Sequence, residues 1–419
     1  MNAPSARPAR VLVTGASIAG PALAWGLDRA GFDVTLLERS DRQREAGQNI
    51  DVRGLGREVV RRMGLEDEVM ARLTGEQGTR FVQESGRPYA EFPRVEGQDG
   101  PTAEVEILRG VLAGMLMDRV PEGVEVRYGD LVTAAEQDPA GVDVRFDGGA
   151  QGRYDLVLVA EGRSSRTRRL LFDEWTTYRD RGVSITYGTI ERRDGDTDYW
   201  DWFTGTGGRV ASIRPDDQGT LRASLSFASD PIGFESLPVE SQLSILRERF
   251  AGAGWQSERI LAGFEARPEE FYAQRMNQVV VSRWSTGRVA LVGDAAWGSG
   301  PTGMGTTLAL VGAHVLTGEL ARDVRSAGDS PTAAFDRYER LLRRYADSAQ
   351  GLPPGGARAL HPSSRLGVRA VQAVHRVSAL PALQGLAQRH LLTSARHEPV
   401  LPDYPFAQAA EPGSTHRRR

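Results

Sequence analysis

Apolar positions fall into two textures along the chain. Over residues 10–38 a short apolar run, Val11-Leu12-Val13, leads into small residues from Gly15 to Gly20. An apolar, small-residue helix follows over 21–30 and stops at Gly31; a second buried strand, Val34-Thr35-Leu36-Leu37, ends in Glu38. Mixed apolar and charged spacing predicts helices over 57–73 and 108–120, with strands over 124–128, 142–146 and 156–159. From about Arg181 the pattern changes to alternation broken by Gly-Thr-Gly-Gly and Asp-Asp-Gln-Gly, which predicts antiparallel strands over 199–203, 209–214 and 220–227. A helix is expected over 240–251, buried strands over 278–282 and 288–292, and helices over 303–325 and 332–347. The breaker cluster Gly351-Leu-Pro-Pro-Gly-Gly356 precedes two further helices, 365–377 and 383–394. The pattern predicts an α/β fold whose first unit is interrupted by a β-rich insertion, resumes, and ends in helices.

Composition removes whole reaction classes. The 419 residues include no cysteine and no lysine, and the first of six histidines is His314. Disulfides, thiolate chemistry, Schiff bases and the P-loop are excluded, and residues 1–313 alone cannot build a Ser-His-Asp triad or a histidine metal cluster. No metal site is expected. A net charge of −3 gives no footprint for nucleic acid. No apolar run reaches the roughly 18–20 residues of a membrane span, and the N-terminus lacks a signal-type apolar core, so a cytoplasmic protein is expected. Enzymatic chemistry would have to come from a bound cofactor.

Two motifs fit such a cofactor. In Gly15-Ala16-Ser17-Ile18-Ala19-Gly20, a glycine turn between a buried strand and a helix aims backbone amides at a pyrophosphate, although any βαβ turn shares this outline. Glu38, 18 positions beyond Gly20, suits ribose hydroxyls and would repel a 2′-phosphate, as FAD or NAD requires. The second motif runs through Gly293-Asp294 to Pro301-Thr302-Gly303-Met304-Gly305-Thr306. Asp294 could accept bonds from a polyol, and the amides of Gly303 to Gly305 could stabilise an anionic ring edge; the alternative is a glycine-rich connection with Asp294 as a helix cap.

With these motifs the chain resembles the class A, single-component FAD-dependent monooxygenases of the para-hydroxybenzoate hydroxylase superfamily. It is most similar to the tetracycline-inactivating and polyketide-tailoring branch. Val159-Ala-Glu161-Gly162-Arg163-Ser-Ser165-Arg-Thr-Arg168 resembles the family's third fingerprint, which handles FAD and NAD(P)H. The resemblance also implies that Gln48 in the 47–54 segment passes the flavin ring, that Arg109 lies near the cofactor, and that Arg39 lies by the adenine. Ser17, Glu161 and Trp297 depart from the usual residues, and the glycine loop is one residue short.

The implied organisation is a Rossmann-like FAD-binding domain in three parts (1–75, 106–175, 277–350), with strands 76–105 reaching towards a β-sheet substrate domain (176–276) and a helical tail over 351–419. The family chemistry is reduction of FAD by NAD(P)H, then oxygen transfer from a flavin C4a-hydroperoxide to a phenol or enol, or Baeyer–Villiger insertion. No protein nucleophile is needed. Trp202, Phe203, Tyr272, Gln278 and Trp297 are the candidate contacts for an apolar or aromatic small molecule; any single aromatic reads more readily as sheet core, and Gln278 equally as an edge-strand polar residue. A monomer or weak dimer is expected. The Trp297 loop keeps two alternatives open: a non-redox cyclase that retains FAD, and a drug-sequestering protein.

Overall fold

The structure is a computed structural model. It describes residues 7–43, 47–95, 103–300, 302–324, 326–352, 355–380, 383 and 397–407. One sheet has six strands in the order Ser285–Thr286, Val289–Leu291, Leu156–Val159, Arg10–Thr14, Asp33–Glu38, Glu125–Tyr128. Its pairs are parallel except the first. The central strands are apolar at nearly every position because both faces are covered, as expected for a parallel sheet. Helix Gly305–Asp323 is buried from Thr307 through Leu320, which explains why its sequence has no polar stripe.

A second sheet has seven strands, ordered Tyr272–Val281, Thr176–Glu191, Thr220–Ala228, Arg209–Pro215, Trp200–Gly205, Gly78–Val82, Pro88–Pro93. The hairpin 78–93 joins it through a parallel pairing that sets Phe81 beside Trp202. One face of this sheet packs on helices Val239–Phe250 and Ser257–Ala266, with Phe203, Leu225, Leu246 and Phe264 in the shared core. The other face looks toward the parallel-sheet half, to which it is tied by the bond from Asn49 to the carbonyl of Pro215 (2.9 Å).

Several elements differ from the sequence reading. The helix expected over 57–73 is two, Gly54–Arg62 and Glu66–Met70, because Gly64 adopts φ +70° and closes the first with a left-handed cap. The strand expected at 278–282 starts at Tyr272, and the long strand Thr176–Glu191 begins before the change in texture. Helix Ser257–Ala266 and strands Val132–Asp138 and Gln151–Tyr154 are additional. The helix expected over 383–394 lies outside the described residues apart from Leu383. Among the described residues no helix is long and apolar enough to cross a membrane, and no group of acidic or histidine side chains could hold a metal.

Candidate active site

Strand Arg10–Thr14 runs into Gly15, whose φ of +97° favours glycine; a Cβ there would lie 2.5 Å from the carbonyl oxygen of Ala160. A Cβ on Gly20 would collide with the carbonyl of Gly15, so helix Ala19–Arg29 starts tight against the turn. Ser17 is exposed, while Ile18 and Ala19 are buried. The helix start has no side-chain cap and no acidic residue in its first turn, so its amides are free to meet an anion. Glu38 braces the turn by accepting the amides of Ala16 (2.9 Å) and Ser40 (3.0 Å), and keeps further lone pairs for hydroxyls. Arg39 beside it is exposed.

Helix Gly305–Asp323 also starts without a side-chain cap or an early acid. The two helices meet at Gly293, whose Cβ would touch Ala19 at 3.4 Å and Ala309 at 3.5 Å. Beside this point Oδ1 of Asp294 is buried with no hydrogen-bond partner. Burial pushes the Asp294 carboxyl up, against the pull of Arg163, Arg109 and Arg168. A Cβ on Gly303 would come within 2.8 Å of Asp51 Oδ2, and one on Gly305 within 3.4 Å of Asp294 Oδ1. Met304 is buried and Thr306 half-buried; Pro301 lies outside the described residues.

The 159–168 segment behaves differently from expectation. Glu161 does not face this cradle. Its longer side chain folds back to accept from Ser165 Oγ (2.7 Å), the Thr167 amide (3.0 Å) and Thr167 Oγ1 (2.5 Å), capping helix Arg166–Leu171. The group that joins this loop to the cradle is Arg168, the last residue of the third fingerprint, which was not among the individual cofactor contacts expected. Fully buried, it donates to the carbonyls of Arg163 (2.6 Å), Ala295 (3.1 Å) and Gly162 (3.4 Å) and to the Tyr178 hydroxyl (3.0 Å). Gly162 holds φ +76°. Arg163 reaches across to Gln274 Oε1, and the Tyr272 hydroxyl donates to Gln48 Oε1. Gly47 has no side chain where Arg109 packs, 3.0 Å from a Cβ there.

Opposite the cradle, strand register puts Trp202, Ser212, Ser224, Tyr187 and Tyr272 in one row on the inward face. The Tyr187 and Tyr272 rings stack at 5.2 Å, and Trp200 lies 4.7 Å from Trp202. Burial raises both tyrosine hydroxyls above their usual range. Arg214 lies 3.7 Å over Trp200 while pairing with Glu76 (2.8 Å) and Glu106 (2.5 Å). Burial drives the Glu106 carboxyl well up, partly offset by Arg214.

Three expected substrate contacts point elsewhere. Phe203, next to Trp202 on the strand, faces the helices, since neighbouring strand residues alternate. Gln278 is fully buried, donating to the carbonyls of Ser299 (2.8 Å) and Gln350 (2.7 Å) and accepting from Arg181; every group of its amide is taken. Trp297 lies in the core against Trp284 (4.4 Å) and Tyr338 (6.1 Å), in the space that Gly312 leaves by lacking a side chain.

Two uncapped helix starts, an orphaned buried carboxylate oxygen and a braced glutamate at a strand end form a donor and acceptor set suited to the phosphates and polyols of a dinucleotide. The model of the FAD-binding-domain family matches residues 8–349. A flavin-dependent monooxygenase of Phoma sp, eupH, is 35% identical over 392 residues, covering 87% of this chain and 90% of that one. A flavin-dependent monooxygenase of Legionella longbeachae is 34% identical over 347 residues, covering 81% and 87%. The crystal structure of the tetracycline destructase Tet(55) superposes with a TM-score of 0.76 at 31% identity, covering 95% and 99%. The chain belongs to the FAD-binding-domain family of class A flavin-dependent monooxygenases, and FAD is its cofactor.

Proposed function

We propose that this chain uses NAD(P)H and O2 to oxygenate an aromatic or polyketide-like small molecule held between FAD and the inward sheet face. The observation that carries this reading is the orphaned Asp294 Oδ1 at the meeting of two uncapped helices, linked to the aromatic wall through Arg168, Arg163 and Gln274. In this reading the parts 1–75, 106–175 and 277–350 hold FAD, and 176–276 with the strands of 76–105 hold substrate. The amides of Ala19-Gly20 bind the pyrophosphate, those of Gly303 to Gly305 stabilise the anionic edge of the reduced flavin ring, Glu38 binds the ribose, and Asp294 binds the ribityl chain. FAD, once reduced, supplies the activation of oxygen.

The protein's own part is positioning, charge and exclusion of water. Arg163 and Arg109 both act electrostatically on Asp294, so they lie where negative charge on the cofactor or on a phenolate would be stabilised. The Tyr272–Gln48 and Arg163–Gln274 bonds hold the sheet against the cofactor segments and limit solvent entry between them. With the Trp297 indole in the core, nothing specific favours a non-redox cyclase or a sequestering protein. Anaerobic addition of NADH or NADPH to the FAD-loaded protein, with a panel of phenols and enols, tests the proposal. Bleaching followed by a product one oxygen atom heavier on aeration is expected; a flavin that stays oxidised with every compound overturns it.

A further inference from the structure

The inward row of the seven-stranded sheet is uneven in a specific way. At one end stand Trp200 and Trp202, and at the other the stacked pair Tyr187 and Tyr272. Between them the two middle strands offer only Ser212 and Ser224. The gap from the strand of Trp202 to that of Tyr187 spans three strand spacings of about 4.8 Å, roughly 14 Å in all. The two serine hydroxyls bond each other at 2.7 Å, so they need no further partner, and both short side chains are buried. The flanking rows are closed. On one side Arg214 and Arg222 are held by Glu76, Glu106, Asp216 and Glu270. On the other, Ser226 is bonded to the His361 ring at 2.9 Å. The shortest side chains of this row therefore leave a depression between its two aromatic ends.

We propose that the Ser212–Ser224 pair is a specificity-determining floor that sets how many fused rings the site accepts, admitting a flat system that spans both aromatic walls. A single ring resting there can touch one wall at most. A side chain larger than serine on either middle strand would divide the depression in two. The proposal rests on the reading above for placing the cofactor opposite this wall.

Its test uses the FAD-loaded protein with two probes that share one pair of hydroxyls: alizarin, with three fused rings, and catechol, with one. Binding is read from perturbation of the bound FAD spectrum. Alizarin is expected to bind at least about tenfold tighter than catechol, and Ser212→Leu or Ser224→Leu to erase that preference while keeping full FAD content. Equal binding of the two probes by the unmodified protein overturns the proposal, as does a leucine variant with full FAD that still prefers alizarin. Should both leucine variants lose FAD, Ser224→Thr decides in the same direction, because one added methyl must lower the preference. Selective binding of alizarin without bleaching by NADH or NADPH supports the floor while counting against the monooxygenase reading.

Discussion

Asp294→Asn should change the cofactor-free and the FAD-loaded protein in opposite directions. In the cofactor-free protein Oδ1 is buried without a donor, and burial outweighs the three nearby arginines in setting the carboxyl above its usual range. An orphaned buried acceptor costs about 1–3 kcal/mol, and the amide of asparagine removes the charge at nearly equal volume. The apoprotein should therefore melt higher because the charge that burial penalises is gone, by about 1 °C for each 1 kcal/mol in a chain of this length. The sign with pH follows from the raised folded value: ionisation of Asp294 disfavours the fold. The gain is present at pH 7 and fades as the pH falls toward the ordinary carboxylate range, where aspartate is neutral in both states. FAD binding should weaken, since each charge-assisted bond from the ribityl chain is worth about 1.5–3 kcal/mol, or about 10- to 150-fold in Kd. Thermal scans of apoprotein at pH 7 and pH 5, with FAD titrations followed by flavin fluorescence, read both effects. An apoprotein that melts lower than the parent, or an unchanged Kd for FAD, would refute the assignment of Asp294.

Other perturbations separate structural from cofactor roles. Trp297→Ala should cost about 3–5 kcal/mol in urea unfolding, whereas Trp297→Phe should leave the flavin spectrum unmoved; a spectral shift in the phenylalanine variant would place the indole against FAD after all. Arg168→Met should lower FAD content by releasing the 162–163 loop from Ala295, and Arg168→Lys should not restore it, because an ammonium cannot span four separated acceptors. Full occupancy in the lysine variant would contradict that. His314, lowered to about 4 by burial, is neutral in the fold. Its contribution is complete above the unfolded value of 6.5 and is lost as the pH drops toward 4, on the order of 3 kcal/mol at the acid end. His314→Gln should flatten the melting temperature between pH 7 and pH 5, and an unchanged slope would exclude this histidine as the cause.

Local order was legible in the chain and side-chain facing was not. Strand Leu156–Val159 coincides with its predicted bounds, and the turn at 15–20 and the loop at Asp294 announce themselves through short-range glycine chemistry. The orientation of Trp297 depends on the absence of a side chain at Gly312, on a different element, so no local pattern could reveal it. Trp202 and Phe203 must face apart on one strand, yet only the packing of the two helices decides which turns inward. Glu161 carries the right charge for a cofactor ligand, but its extra methylene lets it reach Thr167 instead. Helix Ser257–Ala266 contains Gly263, which reads as a breaker; in the fold it is where the helix approaches Ile190 too closely for a side chain. Arg168 is one of many arginines in a chain without lysine, so its type carried no signal of burial.

The parallel seam between Gly78–Val82 and Trp200–Gly205 has a consequence for recombination between relatives. The aromatic row includes Phe81, contributed more than a hundred positions before its neighbour Trp202. Transplanting residues 176–281 alone would therefore exchange most of the wall but leave a foreign edge strand against it. A chimera that keeps the donor's ligand preference needs two transplanted segments, 78–93 and 176–281, and so four crossovers. The same seam means that this sheet cannot finish forming until both distant segments have found each other.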